Sequence, residues 1–128
     1  MSPDLKLLVW TVALTFIELI VAVLASQAQV SLPVLAGNRD RLPEITGFAG
    51  RARRAHLNML ESLPLFIALV LVAQIAGRTN PTTLLGCQLF FWGRLGHWLI
   101  YLAGIPWLRT LAWAASVIGL IMIFVQVV

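Results

Sequence analysis

Hydrophobic residues fall into four long blocks along this chain, separated by segments that contain proline and glycine. Each block is long enough to cross a bilayer, because about 20 residues at a rise of 1.5 Å match the hydrocarbon core. The predicted membrane-spanning helices cover approximately residues 5–27, 48–77, 81–103 and 106–127. Only the first connection is long, so residues 1–128 are predicted to form a single all-α domain, an integral membrane four-helix up-down bundle.

The overall composition supports a membrane protein and argues against a soluble one. Hydrophobic residues make up 60% of the chain and charged residues 11%, far from the balance of a soluble domain. The first block lacks the positive start and the clean cleavage pattern of a signal peptide, so we expect it to remain as a span. The single cysteine, Cys87, excludes an intrachain disulfide. Two isolated histidines on different helices do not make a metal site, so no metal is predicted.

Basic residues are concentrated on one side of the predicted membrane. The connections on that side carry Arg39, Arg41, Arg51, Arg53, Arg54 and Arg109, whereas Lys6 and Arg78 lie on the opposite side. The positive-inside rule then places the first and third loops in the cytoplasm and both termini outside. Topology therefore explains the net charge of +4, with attraction to anionic membrane lipids as a secondary effect. We expect no nucleic-acid partner.

Two rows of polar residues continue from the basic ends of the predicted helices into the spans. Each polar residue there costs a few kcal/mol of free energy of membrane insertion. At about 100° per residue, one row lies within an arc of roughly 80° on the second span and the other within about 60° on the third. The first row consists of Arg51, Arg54, Asn58 and Glu61, and the second of Arg94, His97 and Tyr101. At the start of the fourth span, Arg109 and Thr110 add a cation and a hydroxyl.

Arginines at the start of a helix oppose the helix dipole, which favours anions at that end. Their clustering makes physical sense if an anionic ligand lies between them. Arginines for carboxylates, Glu61 for an amine and Asn58 for an amide describe a small zwitterionic peptide. The alternative is that Glu61 pairs with Arg94 across a helix interface and only joins the bundle. The excess of arginine over acid on this side favours the ligand.

Two segments resemble the signatures of one membrane family. The second span contains RRAHLNMLESLPLF, and the third and fourth together contain GRLGHWLIYLAGIPWLRT. Both resemble MAPEG, the membrane-associated proteins in eicosanoid and glutathione metabolism. The resemblance implies a homotrimer of four-helix subunits that binds glutathione between subunits near the cytoplasmic face. Members of the family include glutathione transferases, glutathione peroxidases and synthases of prostaglandin E and cysteinyl leukotrienes, and one member binds without catalysis.

The resemblance also implies roles for individual residues. Arg109 matches the arginine that faces the thiol, and Thr110 would donate to the same sulfur. A guanidinium beside a helix N-terminus lowers the pKa of a thiol, and the thiolate is the nucleophile. The expected function is a glutathione transferase or peroxidase that acts on hydrophobic electrophiles or lipid hydroperoxides. Glutathione would be held by Arg54, Asn58, Glu61, Arg94, His97 and Tyr101, with Arg51 as a further contact.

The sequence departs from the family at the inner end of the first span. Ser26, Gln27 and Gln29 occupy the place where several eukaryotic members have a basic residue that reaches the neighbouring subunit's glutathione. The short loops resemble the bacterial branch, which implies an inner-membrane location. An alternative is a non-catalytic membrane protein that binds a lipid or a glutathione-like anion. A third is a structural bundle whose polar rows serve assembly only.

Two ionisable residues lie outside the polar rows. Glu18 is near the middle of the first span, and intramembrane carboxylates are functional candidates. Three alternatives are open for it: it stays protonated, pairs with an arginine of the second or third span, or lines the interior of the trimer. His56 lies about 200° around the helix from Arg54, so we expect it to hydrogen-bond a neighbouring helix or a lipid head group.

Overall fold

The computed structural model describes residues 1–38 and 44–128. Its helices are α1 (Pro3–Gln27), α2 (Leu32–Ala36), α3 (Gly47–Ile75), α4 (Pro81–Ala103) and α5 (Pro106–Val127). The all-α prediction is confirmed, since the described residues contain helices and short connections and no strand. Each long helix begins and ends within two residues of an expected span, whereas the short α2 was not expected. Arg39 and Arg41, which contribute to the predicted charge bias, lie outside the described residues.

Three of the long helices have the length and composition to cross a membrane, namely α1, α3 and α5. Their surfaces carry large apolar side chains that are more than half exposed, including Trp10, Phe16, Leu111 and Phe124. Exposed apolar surface of this kind is typical of contact with lipid. The α4 helix has 23 residues, but it is not among the helices whose composition suits a membrane span. That α4 is a fourth span therefore stays a prediction.

Neighbouring long helices run antiparallel, as the contacts between their ends show. At one end of the molecule, Ser2 Oγ donates a hydrogen bond to Gln74 Oε1 at 2.8 Å, and Asn80 Nδ2 donates to Gln126 Oε1 at 2.8 Å. These bonds join the start of α1 to the end of α3, and the start of α4 to the end of α5. The starts of α3 and α5 therefore meet the end of α4 at the opposite end of the molecule, where most of the candidate site residues lie.

The bounds of α4 follow from its local sequence. The Asn80 side chain accepts a hydrogen bond from Thr83 N at 3.0 Å, and the Thr83 hydroxyl accepts one from Asn80 N at 2.9 Å. This reciprocal capping box defines the N-terminus. At the other end, Gly104 has a φ of 79°, a left-handed conformation that glycine adopts without a steric penalty. Pro106 then starts α5, and the short turn brings Arg109 back toward the end of α4.

Facing glycines allow α4 and α5 to pack at very short distance. A Cβ atom at Gly86 would lie 2.7 Å from the carbonyl oxygen of Gly119 and 2.8 Å from Cγ1 of Ile123. A Cβ atom at Gly119 would in turn overlap the carbonyl oxygen of Gly86. Membrane helices associate through close van der Waals packing of small residues. The contact therefore depends on glycine at both positions.

Gly119→Ala is expected to destabilise the protein, because the added methyl group overlaps the backbone of Gly86. Overpacking of this kind costs about 1–3 kcal/mol, so the midpoint of thermal unfolding in detergent should fall. The matched control is Gly96→Ala on the same helix pair, where the nearest atom, Ala112 Cβ, lies 4.0 Å from an added Cβ. Its midpoint should not fall, and equal midpoints for the two variants would contradict the close packing.

Candidate functional site

Tyr101, near the end of α4, is the centre of a cluster of side chains from three helices. Nε of Arg54 on α3 donates a hydrogen bond to the Tyr101 hydroxyl at 3.3 Å. The guanidinium carbon of Arg109 on α5 lies 4.3 Å from the centroid of the Tyr101 ring, a cation–π contact. The His97 ring lies edge-on to Tyr101 with the centroids 5.5 Å apart. These four predicted site residues form what we call the Tyr101 cluster.

Arg51 lies beside the Tyr101 cluster and also has a structural contact. Its Nε donates a hydrogen bond to the carbonyl oxygen of Leu102 at 3.1 Å. The last carbonyl groups of a helix have no partner within it, so this bond stabilises the end of α4. Neither Arg51 nor Arg54 nor Arg109 forms an ion pair with a carboxylate of the described residues. The three guanidinium groups near the end of α4 therefore offer positive charge to an anion.

Arg94 and His97 are the buried part of the site. Arg94 is 1% exposed, and none of its three guanidinium nitrogens has a hydrogen-bond partner within the described residues. Its charge interacts electrostatically with Glu18 on α1 and Glu61 on α3. His97 is 3% exposed and faces the charges of Arg94 and Arg109. Buried polar groups without partners are costly, so their presence calls for a specific reason.

The structure brings together Glu18 on α1 and His56 on α3, which lie far apart in the chain. Oε2 of Glu18 lies 3.9 Å from Nδ1 of His56, and both side chains are buried. This distance is longer than a hydrogen bond, so the bond expected for His56 is not seen within residues 1–38 and 44–128. Glu18 forms no ion pair with an arginine of the described residues, so the three alternatives for it stay open. A carboxylate in the middle of an apolar span can be recognised from the sequence, but the residues that lie next to it in the fold cannot.

Three predicted site residues stand apart from these contacts. Asn58 is half-buried, and Glu61 is exposed and forms no ion pair with any described residue. Thr110 is also exposed, and its hydroxyl donates to the carbonyl oxygen of Pro106 at 3.4 Å, within α5. Asn58 and Glu61 follow Arg54 along one face of α3. Only the arginine end of that row is therefore in hydrogen-bond contact with α4.

A groove with a volume of about 360 Å³ lies between α1, α2 and α3. Its lining is apolar apart from Ser26, Arg53 and His56. Because His56 lies about 200° around α3 from Arg54, the groove is separate from the Tyr101 cluster within one chain.

The other reactive side chains do not form a second centre. Cys87 is 0% exposed, and its thiol donates to Asp4 Oδ2 at 3.8 Å. In the part of the chain that the structure describes, no three His, Cys, Asp or Glu side chains are close enough to hold a metal ion. The Tyr101 cluster, together with Arg51 and Arg94, is therefore the candidate site.

These features are those of an all-helical integral membrane protein with arginines gathered around a tyrosine at one end of its helices. The sequence model of the MAPEG family matches residues 7–128, nearly the whole chain. The protein therefore belongs to the MAPEG family, and it is in general a membrane protein of glutathione and eicosanoid metabolism. No curated protein sequence gives a significant match.

Proposed function

We propose that this protein binds glutathione at the Tyr101 cluster and activates its thiol against a hydrophobic electrophile or a lipid hydroperoxide. The observation that carries the proposal is the location of Arg51, Arg54 and Arg109 at the end of α4, without carboxylate partners among the described residues. Glutathione has two carboxylates that suit these cations. Membership of a family related to glutathione supports this choice of ligand.

Each polar group of glutathione has a counterpart among the site residues. Arginine binds a carboxylate through paired N–H donors, which suits Arg51 and Arg54 at the open end of the site. Glu61 is exposed and forms no ion pair with a described residue, so its carboxylate suits the ammonium group. Asn58, on the same face of α3, suits an amide. The remaining contacts proposed on α4 are Arg94, His97 and Tyr101.

Arg109 is proposed to stabilise the glutathione thiolate. It lies in the first turn of α5, where the helix N-terminus and the guanidinium both favour a negative sulfur nearby. The exposed hydroxyl of Thr110 would donate to the same sulfur. The thiolate would form a carbon–sulfur bond with an electrophile and expel its leaving group as an anion. With a hydroperoxide, it would attack the outer oxygen and break the oxygen–oxygen bond, which gives an alcohol and the sulfenic acid of glutathione, and a second glutathione would convert the sulfenic acid to the disulfide and water. Catalysis then rests on positioning and thiol activation, without a covalent enzyme intermediate.

The proposed assembly is a homotrimer of four-span subunits in a bacterial inner membrane. The first and third loops would face the cytoplasm and both termini the outside. Exposed apolar side chains on α1, α3 and α5 offer surface to lipids and to neighbouring subunits. Glutathione would lie between subunits, and the hydrophobic substrate would enter from the bilayer. Cross-linking in native membranes should give trimers, and a pattern that stops at dimers would contradict this assembly.

The second candidate function is a membrane protein that holds glutathione, a similar anion or a lipid without catalysis. It is favoured by Gln29, which occupies a place where several eukaryotic family members have a basic residue. The Gln29 side chain forms two hydrogen bonds with the backbone of Thr46, at 2.7 and 3.0 Å, and so joins the end of α1 to the start of α3. A third candidate, a structural bundle, is favoured by the contact of Arg51 with Leu102.

A glutathione titration of the purified protein in detergent separates these candidates. We expect a saturable thiolate absorbance in the ultraviolet. Glu61→Gln should weaken glutathione binding by about tenfold or more, because the ammonium group loses its charged partner. The matched control is Glu44→Gln, at an exposed acid before α3, which should titrate like the wild type. Binding without a thiolate signal would favour the holding protein, and no binding would favour the structural bundle.

A further inference from the structure

The groove between α1, α2 and α3 is polar at one end and apolar at the other. Ser26, in the last turn of α1, and Arg53, in the second turn of α3, line the end nearest the connection between these two helices. Leu19 and Leu60 line the groove two turns further into α1 and α3, which is about 10 Å along a helix. The groove therefore has the polarity of a lipid molecule, with a head and a tail.

The polar end of the groove offers hydrogen-bond donors to a ligand. Arg53 is half-buried and forms no ion pair or hydrogen bond with a described residue, and the Ser26 hydroxyl has no described partner either. Nδ1 of His56 is buried 3.9 Å from Glu18 Oε2, so Nε2 is the ring nitrogen left to the groove. No acid of the described chain lines the groove. A guanidinium, an imidazole and a hydroxyl without an acid suit an anionic group.

This polar end lies at the level of the lipid head groups. The α3 helix has 29 residues, or about 43 Å, and so exceeds the hydrocarbon core of about 30 Å. Its second turn carries Arg51, Arg53 and Arg54, so this end of α3 extends into the head-group region. Leu19 and Leu60 lie at the depth of the acyl chains and are 41% and 42% exposed. The apolar end of the groove is therefore open to the bilayer.

An anionic lipid suits both ends of the groove, whereas other occupants suit only one. The volume of about 360 Å³ is at the lower end of the range for ligand sites, which favours one acyl chain over a bulky ligand. An apolar helix from a second copy of the chain would cover Arg53 and His56 without giving them partners, which is costly. A free phosphate would leave the apolar end uncovered.

We propose that the groove binds one anionic phospholipid, with its phosphate at Arg53, Ser26 and His56 Nε2 and one acyl chain along the apolar end. Arginine binds phosphate oxygens through paired N–H donors, and basic sites between membrane-spanning helices bind the head groups of anionic lipids. The groove is separate from the Tyr101 cluster, because His56 lies about 200° around α3 from Arg54. The lipid site therefore does not depend on glutathione binding.

Thermal unfolding of the purified protein in detergent tests the lipid site. The added lipids are phosphatidylglycerol, which is anionic, and phosphatidylcholine with the same acyl chains. A ligand that binds the folded state stabilises it by mass action, so phosphatidylglycerol should raise the unfolding midpoint by about 3 °C or more. Phosphatidylcholine should raise it much less, and inorganic phosphate should not change it. Equal shifts with the two phospholipids, or a shift with inorganic phosphate alone, would overturn the proposal.

Two pairs of variants locate the bound lipid. Arg53→Gln should raise the concentration of phosphatidylglycerol needed for the same shift by about tenfold, since bonds to a charged group are lost. Its control, Arg78→Gln, changes an exposed arginine at the opposite end of the molecule and should have no effect. Leu60→Trp narrows the apolar end and should act like Arg53→Gln, whereas Leu65→Trp, at an exposed leucine of α3 outside the groove, should not. Without added lipid, all four variants should unfold like the wild type.

Native mass spectrometry of the assembled protein counts the lipids and the chains. We expect one phosphatidylglycerol per chain in the wild type and fewer in Arg53→Gln. An unchanged shift and lipid count in Arg53→Gln would show that the lipid binds elsewhere. A change in the number of chains in Leu60→Trp would show that a neighbouring chain occupies the groove. An equal midpoint shift with the fatty acid oleate would show that the groove does not select a phospholipid, and each of these three results would overturn the proposal.

Discussion

Arg109→Ala is expected to lower the turnover of glutathione with a hydrophobic electrophile by about 100-fold or more, while the affinity for glutathione changes only a few-fold. Removing one electrostatic group that stabilises developing negative charge costs about 10²–10³ in turnover. Arg109 is the proposed group, because it lies in the first turn of α5 and its guanidinium stacks on Tyr101. Steady-state rates with chlorodinitrobenzene and cumene hydroperoxide, together with the thiolate absorbance of the complex, measure the effect.

Two further variants make the Arg109 experiment specific. Arg78→Ala removes an exposed arginine from the connection between α3 and α4, at the opposite end of the molecule, and should leave turnover and binding unchanged. Arg109→Lys keeps the charge but loses the planar group that stacks on Tyr101, so its turnover should be intermediate. If Arg109→Ala lost binding and turnover to the same extent, a role specific to the thiol would be refuted.

Arg94→Gln is expected to lower the free energy of unfolding by about 3–5 kcal/mol, because removing one of two opposite buried charges leaves the other uncompensated. Arg94 and Glu18 are each 1% exposed and interact electrostatically. The double variant Glu18→Gln/Arg94→Gln should recover at least half of this loss, since neither charge remains. Thermal and chemical unfolding in detergent, followed by circular dichroism, compare Arg94→Gln, Glu18→Gln and the double variant with the wild type.

The double variant also separates stability from ligand binding. It should assemble like the wild type and still bind glutathione weakly, because Arg94 is one of the proposed ligand contacts. The matched control is Arg53→Gln, at a half-buried arginine on the groove side of α3, which should unfold like the wild type. If the losses of the two single variants simply added in the double variant, Glu18 and Arg94 would not be coupled.

Helical geometry alone predicted which residues share a face. The spacing of Arg94, His97 and Tyr101 places them on one side of α4, where the structure has the rings of His97 and Tyr101 in contact. The spacing could not predict the contact of Arg54 with Tyr101. Which residue of α3 meets which residue of α4 depends on the offset between two antiparallel helices, and that offset follows from side-chain packing along their whole length.

Two differences from the sequence-based prediction have simple physical reasons. The five-residue helix α2 (Leu32–Ala36) is too short to produce a periodic pattern of apolar residues. The α4 helix is predicted to be a span like the other three, yet it has no uninterrupted stretch as apolar as theirs, because Arg94 and His97 lie in its buried part. Both side chains are buried against neighbouring helices and not exposed to lipid. The polar residues of α4 therefore do not prevent it from packing among the other helices.

The four long helices, their approximate ends and the polar rows along them could be predicted from the sequence. These features depend on local properties: the length of an apolar block, the capping of α4 by Asn80 and Gly104, and the periodicity of a helix. The tertiary structure was needed to show that Glu18 lies close to His56, and that arginines from α3 and α5 meet at the end of α4. The physical reason is that such contacts join residues far apart in the chain, whose distances depend on how whole helices pack.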